Sequence, residues 1–208
     1  ADRDWSSDVC SSDLPVVGLD EAGCGPWAGP VVAGCAWINQ SHFPEDLKIA
    51  INDSKKLTAK KRDQIFESLV ALPQDIFRYG VGQASVEEID TINIRQASYL
   101  AMQRAHDPLQ KISPQFALID GTSKPNLGIP IRPIVKGDQL SLSIAAASIL
   151  AKVTRDQIMK DLHLAHPEYA WNKNAGYGTK AHIDALDKHG ITPHHRKSYA
   201  PIAKLIAA

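Results

Sequence analysis

The chain predicts an α/β protein: a mixed five-stranded sheet flanked by helices on both faces, with a small helical cap at its C-terminal end. Three observations point there. Three hairpin-like apolar segments come first and give way to strand–helix alternation, the order expected of a mixed sheet. A long helical stretch from Ser141 to about Leu164 begins with Ser-Ile-Ala-Ala-Ala-Ser, side chains small enough to lie close against a sheet. His166-Pro167 then stops that helix, because proline disfavours helical geometry at the residue before it.

Taken in order, Pro15 to Asp20 is a short apolar run that suits a buried strand. Gly29 to Ile38, rich in Val and Ala, is a second strand, and Phe77 to Ser85 alternates enough to be a third. Between them Thr58 is the N-cap of a helix through about Ala71, with Ile65, Leu69 and Val70 on its buried stripe. Val86 to Ala105 reads as one helix on the spacing of Ile89, Ile92, Ala97, Leu100 and Ala101. Phe116 to Ile119 is a compact strand closed by Asp120 and Gly121. Ile129 to Val135 is another, and its Pro130 and Pro133 suit an edge. After Glu168 come a loop through Gly178, a helix from about Lys180 to His189, and an irregular end.

Residues 1–14 do not read like the rest. They are polar, repeat Ser-Ser-Asp and lack a packing period; Asp8 to Leu14 matches a translated sequencing-library adapter. The segment is expected to be a non-native leader and is set aside from the fold.

The 208 residues allow one well-cored domain with a small appendage. At 44% hydrophobic and 22% charged the chain is not a disordered one. Lys plus Arg equals Asp plus Glu, so any nucleic-acid binding must come from a local patch rather than a global field. One candidate follows Asp187, where Lys188, Arg196, Lys197 and Lys204 occur with three histidines and no acid. Cys10, Cys24 and Cys35 have no metal-ligand spacing and imply no disulfide framework. No apolar run approaches the roughly 18 residues of a membrane span and no signal peptide is visible. A cytoplasmic location is expected.

The chemistry centres on Gly18 to Pro30, GLDEAGCGPWAGP. An apolar run ends in adjacent carboxylates, Asp20 and Glu21, followed by Gly23, Gly25, Pro26, Gly29 and Pro30. Neighbouring strand side chains face opposite ways, so two adjacent acids share a site only where the strand ends or bends. Asp120 and Asp138 are also at element ends. Acids that converge repel one another unless protonated or neutralised, and hard divalent cations such as Mg²⁺ or Mn²⁺ are their natural partners. Two such ions could clamp a phosphodiester. Any one of these acids alone is better explained by a turn or a helix cap.

GLDEAGCGPWAGPVVAG resembles the opening signature of the ribonuclease HII family, the type 2 ribonucleases H. DSKKLT (Asp53 to Thr58), INIRQASYLAMQRA (Ile92 to Ala105) and LIDG (Leu118 to Gly121) follow in matching order. KGDQLSLSIAAASILAKVTRD (Lys136 to Asp156), AGYGTKAH (Ala175 to His182) and HRKSYAPI (His195 to Ile202) complete the set. The resemblance runs from about Pro15 to Ile202. It implies a ribonuclease H-like fold, with residues 15–166 as the catalytic domain and residues 167–208 as a helical cap contributing to substrate binding.

It also implies hydrolysis of the RNA strand of RNA–DNA hybrids. Nicking is implied 5′ of single ribonucleotides embedded in duplex DNA, leaving a 3′-hydroxyl and a 5′-phosphate. Asp20, Glu21, Asp120 and Asp138 match the family's catalytic, metal-holding acids. Gly23, Cys24 and Gly25 match a Gly-Arg-Gly loop whose backbone reads the 2′-hydroxyl, and Tyr177 matches a tyrosine that stacks on the neighbouring deoxyribose. Lys55 and Lys56 lie in a motif placed near the substrate backbone; by themselves they are equally a solvated helix entry. Cys24 departs from the family's Arg, which leaves as an alternative a hybrid-binding homologue impaired in catalysis. Cys24→Arg is expected to raise substrate affinity. Arg155 and Asp156 are expected to pair on a helix surface. His182, His195 and Arg196 are open between substrate contact and loop anchoring. A monomer is expected, and no motif for a protein partner is identified.

Overall fold

The computed structural model describes residues 15–52 and 58–207. The leader and Lys55 and Lys56 lie outside the described residues. Strand β1 (Val16–Ala22) pairs antiparallel with β2 (Val31–Ile38), and β2 pairs antiparallel with β3 (Phe77–Ala84). On its other side β1 pairs in parallel with β4 (Phe116–Asp120), which pairs in parallel with β5 (Ile131–Ile134). The sheet order is β3-β2-β1-β4-β5, mixed and five-stranded as expected. Pro133 lies on β5, an edge strand, where a missing N–H costs no ladder bond on the open side.

Helix α1 (Glu45–Asn52) was not foreseen. Helix α2 (Ala59–Val70) starts at Thr58, whose side chain accepts the Lys61 N–H. Helix α3 (Val86–His106) opens with a capping box made by Ser85 and Glu88. The single helix expected there is kinked: Asn93 has φ of 66°, and its side-chain oxygen accepts the Gln96 N–H, recapping the second stretch.

Helix α4 (Leu142–Ala165) follows the N-cap Ser141 and crosses β1 and β2. A methyl group at Gly18 would collide with the backbone of Ser143 and Ile144, and one at Gly34 with the Ala147 carbonyl. Small residues on both partners thus bring helix backbone against sheet backbone. Beyond α4 lie α5 (Trp171–Asn174), α6 (Lys180–His189) and α7 (Ala200–Ala207). The end expected to be irregular therefore closes in a helix, whose Ile202 is buried with Ala28, Met159, Tyr169 and Trp171.

The core has two faces. Val17, Leu19, Ala33 and Ile119 pack against Ala97, Ala101 and Met102 of α3. Opposite them, Ala36 and Phe77 pack with Ile51, Ile65 and Leu69 and with Ala145, Ala146, Ile149 and Leu150 of α4. Each fully buried Leu or Ile contributes about 1.5–3 kcal/mol relative to an exposed one.

Candidate active site

Parallel pairing of β1 and β4 in the register Leu19 to Ile119 aligns the C-terminal ends of the two strands and sets Asp20 beside Asp120. Burial pushes the Asp20 carboxyl well above its ordinary range, and the charges of Asp120 and then Glu21 push it further the same way. Two hydrogen bonds act against this shift: one with the Ser148 side chain and one from the Glu21 N–H, at 2.7 Å. Glu21 is also raised, first by burial, with Asp120 adding to it. Asp138 lies in the turn Gly137–Gln139 between β5 and α4, and its N–H points at Asp120 Oδ1 across 3.4 Å. Asp20 and Glu21 thus lie within electrostatic reach of Asp120 at the C-terminal ends of β1 and β4, and the backbone of Asp138 approaches Asp120 from the turn after β5.

Strand β1 continues two residues past its expected end at Asp20, paired with β2 through Ala22, and the chain turns at Gly23. Asp20 consequently faces α4 through Ser148. Glu21 faces α3, with its Oε1 3.6 Å from Cys24 Sγ. Among the described residues, no group of three or more His, Cys, Asp or Glu stands ready to hold a metal ion. The donor set nevertheless fits one. It offers only hard carboxylate oxygens, they repel one another, and the buried Glu21 Oε2 has no hydrogen-bond partner.

The loop after β1 is held from beneath. Gly23 adopts φ of 100°, open to glycine at little cost, and a methyl group there would strike the Arg155 side chain. Arg196 donates to the carbonyls of Gly23 at 2.6 Å, Cys24 at 3.1 Å, Gly29 at 2.9 Å and Pro30 at 3.2 Å. Tyr199 also donates its hydroxyl to the Cys24 carbonyl. Arg155 donates to Pro30 at 3.0 Å, Ala28 at 3.1 Å and Ala175 at 3.0 Å. The expected surface pair of Arg155 and Asp156 is not formed: Arg155 is 1% exposed, and Asp156 pairs with Lys152 at 2.6 Å. A guanidinium carries five donors in a rigid fork, so it can gather carbonyls that a lysine could not.

With the carbonyls of Gly23 and Cys24 turned to Arg196, no hydrogen bond among the described residues uses the N–H of Cys24 or Gly25. Tyr177 stands beside this loop, half exposed, and a methyl group on Gly25 would touch its ring at 3.4 Å. The Cys24 side chain points inward, with Sγ 3.2 Å from Ser98 Oγ. Burial and the Glu21 charge push its thiol up to about 11, so it stays protonated at neutral pH.

His182, His195 and Arg196 resolve as buried anchors. Sequence reasoning missed the weight of Arg155 and Arg196. The one available signal was HRKSYAPI itself, a cationic block with no acid in it to pair.

A five-stranded mixed sheet with acids at the aligned ends of β1 and β4 defines a ribonuclease H-like fold. The family model for ribonuclease HII matches residues 17–202. A ribonuclease HII of Paramagnetospirillum magneticum is 51% identical over 189 residues, covering 91% of this chain and 92% of the relative. Among solved structures, ribonuclease H2 from Pyrococcus horikoshii superposes with a TM-score of 0.73 at 26% identity, covering 92% of this chain and 97% of that one. Bst-RNase HIII, solved in complex with Mn²⁺, has a TM-score of 0.69 at 18% identity, covering 94% of this chain and 70% of that one. The chain belongs to the ribonuclease HII family. It is a type 2 ribonuclease H, a ribonuclease acting on RNA–DNA hybrids.

Proposed function

We propose that the enzyme is metal-dependent and nicks duplex DNA on the 5′ side of a single embedded ribonucleotide, as well as cutting the RNA strand of hybrids. The observation that carries this reading is the adjacency of two parts. One is the cluster of repelling acids at the ends of β1 and β4; the other, directly after β1, is a loop whose Cys24 and Gly25 N–H groups make no hydrogen bond among the described residues, beside an exposed tyrosine.

Asp20, Glu21, Asp120 and Asp138 are the residues that would hold Mg²⁺ or Mn²⁺. When bound, such ions supply positive charge at the scissile phosphate and lower the pKa of water. The protein's own part is positioning. The N–H groups of Cys24 and Gly25 are available to a 2′-hydroxyl, the feature that distinguishes ribose from deoxyribose. Tyr177 offers a ring face to the next sugar, where an extra hydroxyl would crowd it. Residues 167–207 hold that tyrosine and, through Arg196, the loop, which gives the cap its proposed place in substrate binding. Lys55 and Lys56 are assigned to the sugar–phosphate backbone as point charges.

A hybrid-binding homologue impaired by Cys24 is not favoured. The readout proposed for this loop is made by backbone groups, and Gly23 and Gly25 are both present. The test is a cleavage assay on a duplex with one ribonucleotide, against an all-DNA control, with Mg²⁺ and then Mn²⁺. A single nick 5′ of the ribonucleotide is expected; binding without cleavage in both ions would refute the proposal.

A further inference from the structure

The cap contains a branched chain of hydrogen bonds around two buried histidines, and the groups at its ends set the proton positions. Trp171 Nε1 is 3.3 Å from His182 Nε2 and can only donate, so His182 Nε2 accepts. The Thr192 N–H, 2.9 Å from His195 Nδ1, can also only donate, so His195 Nδ1 accepts. His195 must therefore carry its proton on Nε2, which lies 3.0 Å from His182 Nε2 and donates to it. His182, neutral and accepting at Nε2, is protonated at Nδ1. That N–H lies 2.9 Å from the carbonyl oxygen of Tyr177. Both histidines are fully buried, and burial holds both toward the neutral form.

We propose that His182 is a positioning residue for Tyr177, and that the pair His195-Arg196 sets the spacing between the two halves of the ribonucleotide reader. His195 fixes His182, which holds the Tyr177 carbonyl together with the Thr179 N–H. Arg196, the next residue, holds the carbonyls of Gly23 and Cys24. One dipeptide thus ties the loop to the tyrosine ring that rests against Gly25. This inference rests on the function proposed above. Its consequence is that loss of the Nδ1–H should loosen selectivity for a lone ribonucleotide more than it slows cutting of a continuous hybrid.

The side-chain amide nitrogen of Asn overlays Nδ1 of histidine, and that of Gln overlays Nε2. His182→Asn, His182→Gln and His182→Ala are compared with wild type on a single-ribonucleotide duplex and on an RNA–DNA hybrid, with kcat and KM measured separately. His182→Gln and His182→Ala should lose roughly tenfold or more in kcat/KM on the single-ribonucleotide duplex relative to the hybrid. His182→Asn should stay within about twofold of wild type, since it restores the lost donor. An Asn variant as unselective as the Ala variant, or an Ala variant as selective as wild type, would overturn the assignment. A wild type that nicks the ribonucleotide duplex no faster than plain DNA would overturn the proposed function instead, and this inference with it. Histidine ¹H–¹⁵N spectra of the unmodified protein give a reading independent of mutant folding. They should show the Nδ1–H form for His182 and the Nε2–H form for His195; the reverse assignment would overturn the proposal.

Discussion

Asp20 carries the strongest conflict between stability and function. Its carboxyl is raised, so the folded state resists its ionisation; the associated stability is present at low pH and is lost as pH rises through the folded value. Asp20→Asn should therefore stabilise the metal-free protein at neutral pH while abolishing cleavage, each kcal/mol gained raising Tm by about 2–4 °C. Calorimetry in the presence of a chelator checks this, and an unchanged or lower Tm would count against it. Asp138→Asn should abolish metal-dependent cleavage without altering the fold; wild-type turnover would remove Asp138 from the site. The affinity gain expected for Arg at position 24 presumes an outward side chain, whereas Cys24 lies inward between Glu21 and Ser98. His195 has the opposite pH dependence to Asp20. Its pKa is depressed to about 4 from 6.5 by burial first, then by His182, with His194 and His166 adding to the effect. Its contribution to stability is whole above pH 6.5 and falls away between there and about 4. Urea unfolding of wild type and His195→Gln across that range should show a steeper loss in wild type.

At the scale of elements, the loop of residues 23–30 owes its shape to two guanidiniums. Arg196→Met would strand the Gly23 and Gly29 carbonyls and leave those of Cys24 and Pro30 to Tyr199 and Arg155 alone, and the expected loss is about 3 kcal/mol or more in urea unfolding. Arg196→Lys should recover only part of it, since one ammonium cannot span the same acceptors. Full recovery by lysine would mean charge, not fork geometry, holds the loop. Strand and helix positions were legible because periodicity and caps are local: Thr58 caps the helix that follows it as expected, while Ser85 and Ser141, read as a strand end and a helix start, prove to be caps as well. What was not legible depended on distant partners. Arg155 sits in a polar helical context and reads as surface until Ala28, Pro30 and Ala175 arrive from elsewhere in the chain. The same holds for α7, anchored by Ile202 in a cluster drawn from four other segments.

For the whole molecule, the acids could be grouped from sequence only because their motifs occur in a family order. The parallel β1–β4 pairing that physically joins Asp20 to Asp120 spans about a hundred residues and leaves no local trace. How Asp20 and Glu21 divide between α4 and α3 also depended on where β1 stops pairing. Among the described residues no helix is long and apolar enough to cross a membrane. The central claim, that these carboxylates are built to take divalent cations, is tested most directly by titrating Mn²⁺ into metal-free protein by calorimetry in two buffers of different ionisation heat. Wild type should bind with proton release that grows as the pH is lowered toward the raised value of Asp20, and Asp120→Asn should bind at least tenfold more weakly. Equal affinity in wild type and Asp120→Asn, with no proton released, would contradict it.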